Sequence, residues 1–319
     1  MNPLQKQQIR EAIEAYLLRN TMSAADFARL SKVSEAYLSS IRAGKETHEA
    51  GKGKTVTIAD KYYYNLANFM GISFEKVYWK TEPTLELKNI MSTLQDAQSF
   101  GYTNVIIGET GSGKSYAARL FEKKNPKDFF LVTVGQSDNL GDLIDKVIEK
   151  LNITDVPRSK STKLRLIAKV MRNMKLSGLN PVLCFDEAEY MKQPALCAMK
   201  ELYDALTGSC AIQMIGTDQL IRKIDQLRKK NKDGIPQLYR RIKFGIRVLP
   251  VIDRTFKLFL NGVEPALVKF LQQNCNNYGE LHDVLVPAMR EADRLGQELT
   301  EELVRTVLNM PLIPTQWTV

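Results

Sequence analysis

The sequence predicts an α/β fold. A five-stranded, mainly parallel sheet is flanked by helices, preceded by a small all-α domain and followed by a helical one. Three observations predict it. Between residues 104 and 249, five short apolar runs rich in branched residues alternate with helical stretches. The first run enters a glycine-rich loop that opens directly into a helix. After Pro250 the strand pattern stops.

At the N-terminus, Ile9, Ile13, Tyr16 and Leu17 recur at helical spacing. Ser23 then N-caps a short helix, with Asp26 three positions on, close to a capping box. Ser31-Lys32-Val33 turns the chain, and Ser34 N-caps a second short helix through Ile41, closed by Gly44. Gly51 to Lys54 reads as a loop, and Ile58 to Met70 as a helix ended by Gly71. Glu82-Pro83 marks a boundary, because the residue before proline is pushed out of the helical region.

The strands are expected at Asn104–Ile107, Phe129–Val134, Val182–Phe185, Ala211–Ile215 and Ile242–Leu249. Alternation with helices implies a mostly parallel sheet covered on both faces. Helices near Pro265–Asn274, Leu281–Leu295 and Glu301–Asn309 close the chain. The expected domains are residues 1–80, 81–250 and 251–319.

Composition excludes several classes. Among 319 residues, 45 basic and 36 acidic side chains leave a net charge of +9, which favours polyanionic partners. No apolar run approaches the roughly 18 residues of a membrane span. Met1 to Arg10 lacks an apolar signal core, so a cytoplasmic protein is expected. Cys184, Cys197, Cys210 and Cys275 form no C-x-x-C pair, and two histidines do not complete a zinc site. Reduced thiols are the expectation.

Gly108-Glu109-Thr110-Gly111-Ser112-Gly113-Lys114-Ser115 matches G-x-x-x-x-G-K-[ST] in full, between a strand and a helix. Its glycines let backbone N–H groups wrap phosphates. Lys114 brings charge to the β- and γ-phosphates, and Ser115 offers a hydroxyl to Mg²⁺. Val182–Phe185 leads into Asp186-Glu187, an apolar strand ending in two carboxylates. Asp186 would hold Mg²⁺ through water and Glu187 would polarise the attacking water. The strand Ala211–Ile215 ends in Gly216-Thr217-Asp218, where Thr217 is placed to position that water from the other side.

These residues resemble the AAA+ ATPases, from about Leu85 to Asn309. The resemblance implies ATP as ligand, a helical lid, and sites completed by an arginine finger from a neighbouring subunit. Tyr239-Arg240-Arg241-Ile242 stands where that finger is expected, with Arg241 the first choice and Arg240 the second. The family's lid carries a sensor arginine, but this chain reads Gly279-Glu280-Leu281-His282. Histidine titrates near neutral pH and lacks the guanidinium fork. Either the sensor is lost, His282 does a weaker job, or Arg290 reaches in.

Two stretches are basic. Arg158, Lys160, Lys163, Arg165, Lys169, Arg172 and Lys175 run without an acid, and Arg222 to Arg247 holds ten basic residues against Asp225 and Asp233. The first lies between the second and third strands, in an element that faces the central channel of many AAA+ rings. It is expected to meet a nucleic-acid backbone. Ser23 to Gly44 resembles a phage-repressor helix-turn-helix. Phe27, Ala28, Val33, Leu38 and Ile41 form its apolar seam. Ser34, Glu35, Tyr37, Ser39 and Ser40 populate the recognition helix, and Arg42 and Lys45 touch phosphates. Lys32 occupies a turn position where glycine is common. Such a unit binds DNA or docks protein, and the Lys52–Lys54 loop offers further backbone contacts.

The order of domains resembles the phage Mu B and transposon target-selection ATPases over nearly the whole chain. That resemblance implies ATP-dependent assembly on double-stranded DNA, as helical filaments or rings, with little sequence preference. It implies a partner transposase that is recruited or stimulated, no membrane, and a nucleoid-associated location. Two other readings are an ATP-gated transcription regulator and a helicase loader of the DnaC type.

Overall fold

A computed structural model describes residues 1, 3–20, 22–50, 54–72 and 78–311. The chain divides into two compact units, Met1–Val77 and Tyr78–Val319.

The first unit orders its elements as α1 (Pro3–Asn20), α2 (Ala24–Leu30), α3 (Glu35–Arg42), β1 (Thr47–Ala50), β2 (Lys54–Thr57) and α4 (Asp60–Met70). Ser23 Oγ accepts from the Asp26 N–H and Ser34 Oγ from the Tyr37 N–H, so both expected N-caps form. Lys32 turns the chain at φ +57°, the left-handed region that glycine enters more cheaply. Phe27, Ala28, Val33, Leu38 and Ile41 are buried with Ile9 and Ile13 of α1 and Tyr63 and Leu66 of α4. The unit is not all-helical. β1 and β2 pair antiparallel, Thr47 against Thr57 through Ala50 against Lys54. Thr55, Val56 and Thr57 are β-branched, but four residues per strand are too few to show a period. Residues 51–53 of the expected loop, including Lys52, lie outside the described residues.

The second unit begins with α5 (Leu85–Phe100), capped by Thr84. It continues through β3 (Asn104–Ile107), α6 (Lys114–Lys124), β4 (Phe129–Thr133), α7 (Leu140–Lys150), α8 (Lys160–Leu176) and β5 (Val182–Asp186). Then come α9 (Gln193–Leu206), β6 (Ala211–Gly216), α10 (Asp218–Lys229), α11 (Ile235–Ile242) and β7 (Ile246–Val248). The sheet runs β4-β5-β6-β3-β7, with every pair parallel. One core packs α7, α8, α9, α10 and α11 on one face; a second packs α5 and α6 on the other.

The last strand is shorter than expected. Ile235, Leu238 and Ile242 are the buried face of α11, so Ile242 ends a helix. Lys243–Gly245 is a 3₁₀ turn, and only Ile246–Val248 joins the sheet. Arg240 and Arg241 therefore sit on a helix.

Strand order explains the site. β5, β6 and β3 are neighbours, so their C-terminal ends bring Asp186, Gly216-Thr217 and Gly108 side by side. The Gly108 N–H donates to the Gly216 carbonyl at 3.2 Å. At the edge of the sheet, three outward backbone groups of β4 are engaged locally. The Phe129 N–H donates to the Asn125 carbonyl, and the Leu131 N–H to Glu122 Oε1, both at 3.0 Å. Lys146 Nζ donates to the Thr133 carbonyl at 3.1 Å.

After β7 the chain builds α12 (Pro265–Asn274), α13 (Tyr278–Leu295) and α14 (Glu301–Val307). Their core buries Ile252, Phe256, Leu267, Leu271, Leu281, Leu285 and Val304, and Trp79 packs against it.

Candidate nucleotide site

Gly111 and Gly113 adopt φ +75° and +83°, the left-handed region open to glycine, in the loop that enters the N-terminus of α6. Lys114 Nζ donates to the carbonyls of Gly108 at 2.9 Å and Glu109 at 2.6 Å. Burial pushes the Lys114 pKa down; the carboxylates of Glu189, Asp186 and Glu109 act against that shift. A buried cation between loop carbonyls is prepared for an anion with more negative charge to offer.

Two cavities meet at Gly111, Lys114 and Ser115. One, of 290 Å³, is lined by Thr110, Asp186, Glu187, Glu189, Tyr190, Gly216, Thr217 and Gln219. The other, of 310 Å³, is walled by Trp79, Phe259, Tyr278 and His282 with Thr81, Glu82 and Thr84. The first is polar and reaches the carboxylates. The second is aromatic. Trp79 stacks on Phe259 at 4.6 Å, and Phe259 tilts on Tyr278 at 5.4 Å. A phosphate chain ending at Lys114 and a flat base among the aromatics fit the two cavities in that order.

Among the described residues, three buried polar atoms around this cleft have no hydrogen-bond partner: Ser112 Oγ, Thr217 Oγ1 and Glu189 Oε2. Thr217 stands at the N-terminus of α10 yet makes no side-chain capping bond. Such groups are costly unless a polar ligand meets them. Ser115 and Asp186 stand together in the polar cavity. Among the described residues no group of three or more His, Cys, Asp and Glu is arranged to hold a metal. One hydroxyl and one carboxylate beside phosphates suit Mg²⁺, which keeps water and takes few protein ligands.

Glu187 lies at φ +56°, is exposed, and its N–H donates to Asp186 Oδ1 at 3.0 Å. Glu189 follows on a 3₁₀ turn and points into the same cavity. Sequence reading missed Glu189; its signal was the third acid of Asp186-Glu187-Ala188-Glu189. The aromatic wall was also missed.

His282 lines the aromatic cavity, not the phosphate one. It meets Trp79 edge-on at 5.2 Å, and its Nδ1 lies 2.9 Å from Asp283. Arg290 stacks over Tyr78 and lines neither cavity. Lid and loop nevertheless touch. A Cβ at Gly111 would lie 2.2 Å from Asn277 Oδ1, the N-cap of α13, and Arg254 pairs with Glu109 at 2.7 Å.

The two finger candidates differ. Arg241 is spent on Asp204 of its own chain, while Arg240 is exposed and makes no ion pair among the described residues. The basic helix divides in the same way. Lys163 pairs with Asp145 at 2.6 Å, Arg172 donates to the Ala205 carbonyl, and Arg165 turns back to Ser161. Arg158, Lys160 and Lys169 are exposed. In α3, Ser34, Glu35 and Ser39 are exposed, as is Lys45 beyond it. Tyr37 packs on His48 and Tyr62, and Arg42 grips Glu14 with two bonds. No described helix is long and apolar enough to cross a membrane.

Comparison with known proteins agrees with this geometry. A family model described as an AAA domain matches residues 101–224. The Mu-like prophage FluMu DNA transposition protein B of Haemophilus influenzae is 25% identical over 141 residues. That match spans 44% of this chain and 47% of the relative, so about half of the relative's length. The fold is similar to Cdc6p from Pyrobaculum aerophilum, with a TM-score of 0.53 and 16% identity, over 73% of this chain and 69% of that one. It is also similar to the Aeropyrum pernix Orc1 protein solved in complex with DNA, with a TM-score of 0.52 and 14% identity, over 70% and 64%. The chain has a P-loop α/β core with helical regions, of which residues 101–224 match the AAA domain model.

Proposed function

We propose that this chain is an AAA ATPase, similar to the Mu-like transposition protein B, that binds double-stranded DNA in an ATP-dependent way and presents it to a partner transposase. The observation that carries the reading is the divided cleft, with Lys114, Asp186, Glu187 and Thr217 in one cavity and an aromatic wall in the other. That arrangement supports ATP hydrolysis. The relative's printed role in DNA transposition supports the partner and substrate.

The residues divide the work. The loop N–H groups and Lys114 bind the β- and γ-phosphates. Ser115 and Asp186 would hold Mg²⁺, which neutralises charge on those phosphates when bound. Glu187 accepts the proton of the attacking water, and Thr217 orients that water. Arg240 of a neighbouring copy reaches the γ-phosphate in trans. ATP thereby joins neighbours, and joined subunits align many weak phosphate contacts, so avidity strengthens the hold on any duplex. Loss of the γ-phosphate releases the finger and loosens both contacts together.

Tyr37 packs on Tyr62 and Arg42 pairs with Glu14 of the same unit, which weighs against an operator-reading regulator. The unit's exposed Ser34, Ser39 and Lys45 suit backbone contacts instead. The protein would act in the cytoplasm of a bacterial or phage-infected cell, where that DNA lies.

The test is electron microscopy with a random linear duplex, with and without a slowly hydrolysed ATP analogue. Nucleotide-dependent coating of arbitrary DNA, lost in Lys114→Ala, is the expected result. Binding at one locus, or to a helicase and single strands only, overturns it in favour of a regulator or a loader.

A further inference from the structure

Glu189 has no role in the division of labour above, yet it sits inside the phosphate cavity. Its Oε2 is buried and unpartnered. It lies against the end of β6, where a Cβ on Gly216 would come within 2.5 Å of that oxygen. The next residue is Thr217, whose hydroxyl is also buried and unpartnered in the same cavity. Two orphaned polar groups thus flank Gly216.

The placement is built, not incidental. The left-handed turn at Glu187 reverses the chain and aims Glu189 inward. Lys223 of α10 locks that turn by donating to the main-chain carbonyls of Glu189 and, at 3.2 Å, Met191. Among carboxylates, Glu189 acts most strongly on the charge of Lys114.

A carboxylate only accepts hydrogen bonds, so it repels phosphate oxygens and needs a donor. Water supplies one. A tetrahedral water can donate to Glu187 and Glu189, accept from Thr217, and keep its last lone pair for phosphorus. We infer that Glu189 is a second water-holding carboxylate, which orients the nucleophile while Glu187 takes its proton. The inference rests on the hydrolytic reading above. In the step, the water oxygen bonds to the γ-phosphorus, the bond from that phosphorus to the β,γ-bridging oxygen breaks, and ADP and phosphate leave. One water proton passes to Glu187; Glu189 keeps only its hydrogen bond.

The test compares Glu189→Ala and Glu189→Gln with wild type, using the full chain, Mg²⁺, ATP and duplex DNA. Glu189→Ala is expected to lower kcat by about 10- to 100-fold. Its KM, and its affinity for a non-hydrolysable fluorescent analogue, should stay within about threefold. Glu189→Gln keeps an acceptor oxygen and should recover most of the rate. Melting without nucleotide is the second readout. Removing an unpaired buried oxygen should leave the Tm unchanged or raise it.

A wild-type rate in Glu189→Ala, a Gln variant as slow as Ala, or a lowered Tm with weakened nucleotide binding overturns the assignment. Wild-type protein without turnover overturns the hydrolytic reading itself, and Glu189's part in it.

Discussion

Arg241 and Asp204 form a two-pronged pair across 37 residues. Nε lies 2.5 Å from Oδ1 and Nη2 lies 3.0 Å from Oδ2. The Arg241 side chain is 17% exposed and reaches over Tyr203. A guanidinium so occupied must break two charge-assisted bonds before it can serve another subunit.

Arg240→Ala should therefore remove DNA- and concentration-dependent ATP turnover while leaving the Tm unchanged. Arg241→Ala should instead lower stability by about 1 kcal/mol, as expected for a partly exposed pair. Melting curves beside ATPase assays over a range of protein concentration decide between them. The reverse pattern returns the finger to Arg241.

Exposed basic residues on and before α8 predict a salt effect. Neutralising Arg158, Lys160 and Lys169 should weaken binding to all duplexes alike. The slope of log K against log salt should flatten by roughly 0.9 for each DNA phosphate that is no longer neutralised. Lys163→Ala should do less, because Asp145 already engages that ammonium. A slope that only Lys163→Ala changes would exclude this division.

Trp79 predicts nucleotide affinity. It stacks on Phe259 in the wall of the aromatic cavity. Trp79→Ala should weaken ATP and ADP binding equally, by about 1–3 kcal/mol if the base stacks there. Calorimetry with both nucleotides checks this; a loss confined to ATP would place Trp79's influence at the γ-phosphate.

Acid should destabilise the second unit through particular carboxylates. Burial pushes Asp138 and Asp204 up. Hydrogen bonds from Lys146 and the Gly135 N–H outweigh it at Asp138, and those from Lys200 and Arg241 at Asp204. Both end below the ordinary value of 3.8. A depressed folded pKa stabilises fully above the unfolded value and is lost as pH falls through the folded one. The Tm should hold down to roughly pH 4 and fall below it. Asp204→Asn should flatten that fall.

The place of the glycine-rich loop between β3 and α6 was legible because its pattern is local. Eight consecutive residues carry it, and the flanking strand and helix can be read from composition. β3 and α12 match their expected bounds for the same reason. β7 was misread because Ile242 ends a helix that a single 3₁₀ turn separates from the strand, and a short apolar run does not reveal its period. The aromatic wall joins Trp79 to Phe259 and Tyr278, about 180 to 200 residues away, and no spacing rule reaches that far. Arg241 looked free because Asp204 lies on another helix. What sequence misses here is the pairing of distant side chains.

The edge of β4 has a consequence at high protein concentration. An open strand edge is a template for pairing with the next molecule, and dense arrays multiply such encounters. Here Asn125, Glu122 and Lys146 already occupy the Phe129 N–H, the Leu131 N–H and the Thr133 carbonyl. The β4 edge therefore offers fewer open groups for intermolecular β-extension.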